Sequence, residues 1–129
     1  TAIAVNPKDK KFKRLINKYA KIPIIDRQIK IISDDYADPN QGSGAVKITP
    51  AHDFNDYEVG LRHDLEKINI LESDGRLNKN CPQKYHGLDR FEARKLIIED
   101  LKLINVLEKE ENLCSKFAAA AMMFSLKVE

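Results

Sequence analysis

"AVKITPAHDFNDYEVGLRHDL", residues 45–65, decides how this chain is read. "AVKIT" at 45–49 has the β-branched content of a strand, and Pro50 ends it. A helix is predicted from about Asp53 to His63, burying Tyr57 and Leu61 at i, i+4. Asp53 suits the N-cap and Asp56 then falls at N3, where the helix dipole favours each carboxylate by about 0.3–1 kcal/mol. Capping alone therefore accounts for two aspartates. A second reading uses more of the segment. Lys47 and Thr49 are two apart on a strand and share one face, opposite Val46 and Ile48. With Asp53 and Asp56 they offer a cation, a hydroxyl and two anions around one concavity. That set suits a small zwitterionic or aminoacyl ligand, its ammonium held by Asp56.

Outward from this turn the chain alternates strand and helix signals. "TAIAV" at 1–5 reads as a strand. Residues 6–21 read as a helix, with Asn6 as cap, Pro7 in its first turn, Asp9 at N3, and a stripe of Phe12, Leu15, Ile16 and Tyr19. "IPIIDRQIKIIS" at 22–33 reads as a hairpin turning at Asp26–Gln28. "DDYADPNQGSG" at 34–44 is a loop whose glycines permit close approach to the backbone. "INIL" at 68–71 and "RLN" at 76–78 form a further strand pair across the turn "ESDG", and a second loop follows. Residues 89–105 give the clearest helix, with Asp89 and Glu92 as a capping pair, Ala93, Leu96, Ile97, Leu101 and Ile104 on one face, and Asn105 at its left-handed end. "VLEK" is a last strand, and the Ala/Met-rich tail, 111–129, is expected to be helical. The predicted fold is mixed α/β: a compact, antiparallel-rich sheet or partly closed β-barrel with peripheral helices.

Composition narrows the function. The 129 residues suit one domain with one modest core. Net charge is only +2, yet Lys8, Lys10, Lys11, Lys13, Arg14, Lys18 and Lys21 crowd one segment. Their solvated-face reading stands beside a phosphate-contact one. Cys81 and Cys114 have no CxxC neighbour and no zinc-type spacing, so a reduced, cytoplasmic setting is expected, with no metal and no cofactor. The apolar stretch near Phe117–Leu126 is too short to span a membrane. No serine or cysteine is placed beside a histidine as a nucleophile, and "GSG" at 42–44 is no phosphate-loop fingerprint. His52 is expected to be structural, bonded to a loop carbonyl; His63 and His86 read as surface or loop residues.

"GSGAVKITPAHDFNDYEVGLRH" resembles the inserted editing domain of valyl-tRNA synthetase. "TAIAVNPKD", "IPII", "DDYADP", "YHGLDRFEARK" and "VLEK" are similar to successive segments of that domain, over residues 1–110. The combination of Lys47, Thr49, Asp53 and Asp56 matches the valyl type rather than the isoleucyl or leucyl types. The resemblance implies hydrolysis of threonine mischarged on valine tRNA, without metal. Asp56 would anchor the α-ammonium. Asp53, Thr49 and Lys47 would line a pocket that takes threonine's hydroxyl. The partners implied are the mischarged tRNA 3′ end and the remainder of the synthetase. Four departures accompany the match. A Thr-Arg-Pro-Glu-Thr-like strand, the other pocket wall in the family, would precede Thr1. Gln41 stands where the valyl type commonly has phenylalanine. Residues 111–129 have no counterpart, and no HIGH-like or KMSKS-like signature of the activating body is present. A non-catalytic tRNA- or protein-binding remnant is the alternative.

Overall fold

The computed structural model describes residues 1–109 and the pair Met123–Phe124. Four strands form one open mixed sheet in the order β2-β3-β1-β4, where β1 is Ala2–Val5, β2 Tyr19–Ile22, β3 Arg27–Ser33 and β4 Ala45–Ile48. β1 runs parallel to β3 and antiparallel to β4, while β2 and β3 form an antiparallel hairpin. Two helices, α1 (Phe54–Arg62) and α2 (Arg90–Leu103), and a short antiparallel pair, β5 (Leu107–Lys109) with β6 (Met123–Phe124), complete it. This is the mixed, antiparallel-rich sheet expected, open rather than closed into a barrel.

β1 is central, and both of its faces are buried. Ala2 and Ala4 pack with Ile32, Ala37, Ile48 and Val59 on the side covered by α1. Ile3 and Val5 pack with Ala20, Ile29 and Ile31 on the other. A third cluster, Leu77, Tyr85 and Ala93, lies under α2 and the 71–88 loops.

Several expectations are corrected. Residues 6–21 form no long helix. They make turns and a single 3-10 turn at Lys13–Leu15, and Tyr19 enters β2. Asn17 takes φ 67°, and the N–H of Asn17 and the carbonyl of Lys18 bond Ile31, so pairing with β3 captures the segment's end. Lysines and arginine at i, i+3 and i, i+4 spacing also repel along a helix. Phe12, Leu15 and Ile16 still pack on the sheet, through turns. The hairpin turn lies at 23–26 rather than Asp26–Gln28, because Pro23 has no N–H for the ladder; Ile24 and Asp26 take positive φ there. The pair at 68–78 shrinks to one bridge, Leu71 to Leu77. In α1, Val59 is buried whereas Tyr57 and Leu61 are exposed. A Cβ on Gly60 would lie 2.8 Å from Pro50 carbons, so the helix seats its glycine on that proline and turns Tyr57 and Leu61 outward. In α2 the buried residues are Ala93, Ile98 and Leu101, and Ile104 is exposed. Asn105 takes the left-handed position expected, with φ 53°. The predicted tail helix lies outside the described residues except at Met123–Phe124, which are strand.

Candidate functional site

The site forms where β4 hands over to α1. Asp53 caps the helix: its Oδ1 accepts from the N–H groups of Asn55 (2.8 Å) and Asp56 (3.3 Å). Such a cap is worth about 1 kcal/mol. Because α1 is seated on Pro50 through Gly60, its inward face carries Asp56, Val59 and Gly60, at i, i+3 and i+4. Asp56 is thereby pushed over the end of β4 and is only 1% exposed.

A buried carboxylate needs partners, and β4 supplies them. Asp56 Oδ2 accepts from the Thr49 N–H at 2.8 Å, from Thr49 Oγ1 at 3.2 Å and from Lys47 Nζ at 2.9 Å. Lys47 Nζ also donates to Thr49 Oγ1 at 3.2 Å. Lys47 and Thr49 both reach Asp56 in the first turn of α1, although Ile48, between them, is the residue that packs with Val59 of that helix. The Lys47 side chain remains 61% exposed, so a cation from solvent lies against a carboxylate fixed in the core. Tyr36, from the 34–44 loop, faces the same carboxylates. Burial first, then the charges of Asp56 and Asp53 and a hydrogen bond to Asp56, raise its pKa above the ordinary 10.

Of the four residues singled out in the sequence, Lys47, Thr49 and Asp56 form one network. Asp53 sits beside it, with its two hydrogen bonds given to the helix start. Tyr36 was not foreseen, since no local pattern tells which loop residue folds over a helix start twenty residues on. His52 is structural, but its Nε2 accepts from the Ile70 N–H at 3.0 Å rather than bonding a carbonyl. His63 is more than a surface residue: its Nε2 lies 2.9 Å from Asp34 Oδ2. Asp34 also takes Arg62 on both oxygens, at 3.0 and 3.1 Å. Burial alone would raise the Asp34 pKa, but the hydrogen bonds from Arg62, Tyr36 N–H and His63 outweigh it and hold that carboxyl below its ordinary value. His86 is a loop residue, its Nε2 lying 2.6 Å from the Cys81 carbonyl. Among the described residues no three His, Cys, Asp or Glu side chains cluster as a metal site would need, and no helix is long and apolar enough to cross a membrane.

Outside this network, α1 leaves aromatic surface uncovered. Phe54 is 95% exposed and Tyr57 partly so. With Pro50, Ala51, His52, Asp53 and Lys67 they line a concavity of about 520 Å³ on the outer side of the turn. Lys67 Nζ lies 5.0 Å from the centre of the Tyr57 ring.

Comparison with known proteins gives this geometry a lineage. The family described as leucyl-tRNA synthetase, editing domain, matches residues 5–117. Valine--tRNA ligase of Pelagibacter ubique is 60% identical over 116 residues, which is 90% of this chain and 13% of that relative. The Francisella tularensis and Petrotoga mobilis valine--tRNA ligases are 54% and 56% identical over 85% and 87% of this chain, and 12% and 13% of their own lengths. The chain thus spans about an eighth of the curated relatives it matches. It belongs to the synthetase editing-domain family, in the form carried by valine--tRNA ligases.

Proposed function

We propose that the chain edits aminoacyl-tRNA by hydrolysing the ester of a wrongly attached amino acid, and that its substrate is threonine on valine tRNA. The observation that carries this reading is the convergence of Lys47, Thr49 and Asp56 on one carboxylate oxygen at a solvent-reached edge. Asp56 is the anchor for the substrate's α-ammonium. The Lys47 ammonium now fills that position, so substrate binding exchanges one ammonium for another and turns Lys47 toward the amino-acid side chain. Lys47, Thr49 and Asp53 then line a polar pocket. Threonine's hydroxyl satisfies it; valine would leave buried donors and acceptors unpaired, which costs about 1–3 kcal/mol. A second sieve of this kind is what chemistry requires where a single binding step must separate a methyl from a hydroxyl. Water attacks the ester carbonyl, the ester C–O bond breaks, and the ribose oxygen leaves with a proton, giving free threonine and tRNA.

The sheet register supports the reading. Ala2 pairs with Ile48, so chain entering β1 passes the Thr49 end of β4. In the longer relatives the Thr-Arg-Pro-Glu-Thr-like strand would run there, beside the network. The test is hydrolysis of threonyl-tRNA and valyl-tRNA, both of valine type, by this chain and by Asp56→Ala. The expected result is cleavage of the threonyl ester only, slowed about 10- to 150-fold by the substitution, the range for a hydrogen bond to a charged group. An active chain indifferent to Asp56→Ala would remove the anchor from the reading. One observation favours a second reading, RNA binding without cleavage: Lys8, Lys10, Lys13, Arg14 and Lys18 are all exposed in one segment. Salt-sensitive tRNA binding without ester loss would select it.

A further inference from the structure

A second hollow lies between the β2–β3 hairpin and the end of α2. Ile22, Pro23, Ile24, Ile104 and Val106 line a volume of about 300 Å³. The charged groups on its rim, Lys21 and Asp26, form an ion pair with each other. The lining therefore attracts through apolar surface, and no set of polar groups converges there to orient a small ligand. One wall is strained. Ile24 takes φ 72°, a left-handed conformation in which a β-branched residue is an outlier. Glycine or asparagine would fit the turn more easily, yet the position presents an aliphatic side chain, 37% exposed, to the hollow. Strain of this kind persists where surrounding contacts outweigh it. On the other wall Asn105 ends α2 in the left-handed region, and the Val106 N–H donates back to the Leu101 carbonyl at 3.1 Å. The chain thus leaves the helix through Val106 straight into β5.

The register of β5 with β6 points to what covers this hollow. Leu107 pairs with Phe124 and Lys109 with Met123, antiparallel. Chain continuing past Phe124 in that direction advances toward Val106 at about 3.3 Å per residue. The sequence that follows is Ser125, Leu126, Lys127, Val128 and Glu129, an alternation of apolar with polar or charged residues. We infer that residues 125–129 close the hollow, with Leu126 seated among Ile24, Ile104 and Val106. The segment clasps the tip of the hairpin to the end of α2, whether or not the chain cleaves an ester. A second copy of the chain is a weaker occupant. Five apolar lining residues fall far short of the roughly 20–30 residues a side of a stable interface, whereas a tethered segment binds at high effective concentration.

The test is methyl NMR on the full chain, labelled at isoleucine, leucine and valine. Through-space cross-peaks are expected from the Leu126 methyls to those of Ile24 and Ile104. A chain ending at Phe124 loses them and shifts the Ile24 and Ile104 resonances. Its Ile25 N–H, bonded to the Pro23 carbonyl at 2.9 Å, exchanges about 10- to 150-fold faster, the equivalent of burying one leucine side chain. Leu126→Asp reproduces the truncation. Val59, in the core under α1, moves in neither variant. Absence of the cross-peaks in the unsubstituted chain would overturn the clasp, as would Ile24 and Ile104 resonances indifferent to truncation, or a Val59 shift as large as theirs. Cross-peaks that arise only between differently labelled copies in a mixed sample would also overturn it, and would give the hollow to a second chain.

Discussion

The two ends of α1 each bury a carboxylate, and they are satisfied differently. At the far end, Asp34 takes both forks of Arg62, the Tyr36 N–H and His63, with bonds to both oxygens. At the near end, Asp56 gathers Lys47, the Thr49 N–H and the Thr49 hydroxyl on a single oxygen. A guanidinium fork is a planar, preorganised match to a carboxylate; an ammonium is a point charge on a flexible stem. The Asp34 cluster is therefore a lock, tying the 34–44 loop to the helix end. The Asp56 cluster, on the proposed reading, is a socket: its cation is a flexible, 61% exposed lysine. Burial of an acid does not by itself mark a site; what matters is whether its partners can leave.

The sharpest way to break this contrast is to remove both acids in turn. Asp34→Ala takes the acceptor from Arg62 and the Tyr36 N–H and frees the loop, and is expected to cost about 1.5–3 kcal/mol of folding stability. Asp56→Ala is expected to cost about 1–3 kcal/mol, since Thr49 N–H loses its acceptor while Lys47 swings into water. Urea denaturation measures both. If the proposed hydrolysis of threonyl-tRNA holds, the order reverses there: Asp56→Ala is expected to slow the folded chain by about 10- to 150-fold, and Asp34→Ala to leave the folded fraction within about threefold. Equal rate losses at the two positions would erase the distinction between lock and socket.

A smaller effect sharpens the role of Asp53. Its geometry is that of a cap, with Asn55 and Asp56 N–H as donors. Asp53→Ser keeps a capping oxygen and is expected to change stability by less than about 0.5 kcal/mol, whereas Asp53→Ala costs about 1 kcal/mol. If Asp53 also lines the threonine pocket, Asp53→Ser loses discrimination between threonyl and valyl esters although it remains folded. Unchanged discrimination would leave Asp53 as a cap alone.

The strand–turn–helix core of the site was legible because its signals are local. Pro50 stops the strand, Asp53 caps the helix, and the two-residue repeat puts Lys47 and Thr49 on one face. The helix face was not legible. Tyr57 and Leu61 have the right spacing for burial, but the choice between that stripe and Asp56–Val59–Gly60 is made by Gly60 meeting Pro50, a contact that only the tertiary fold supplies. Residues 6–21 failed for a related reason. Their apolar spacing fits a helix and their apolar side chains do reach the core, yet Tyr19–Ile22 gain more by pairing with β3, and the turn at Pro23 makes that possible. Asp34 and His63 are 29 positions apart, and nothing in either neighbourhood announces the other.

The smallest effects are titrations, one for each end of α1. The Asp34 carboxyl ionises below its ordinary 3.8 in the folded chain, so its stabilising contribution is complete above about pH 4 and is lost as pH falls through the lower folded value. Arg62→Met removes the chief cause of that depression, so stability at neutral pH should drop and its fall below about pH 4 should flatten, seen in urea midpoints measured across the acid limb. Tyr36 reports on the other end. Its phenol ionises above 10 in the folded chain because of burial and then of Asp56 and Asp53. Its contribution is present below pH 10 and lost as pH rises through the raised value. Asp56→Asn keeps the shape and removes the charge, so absorbance at 295 nm should show one tyrosine ionising earlier than before, while Tyr85, raised to about 12 by burial and its bond to Asp100, stays put. Asp34→Asn should move Tyr36 far less, because Asp34 meets only the Tyr36 main-chain N–H. A Tyr36 that responds equally to both substitutions would mean that the two carboxylates act as one field, and that the ends of α1 are not independent.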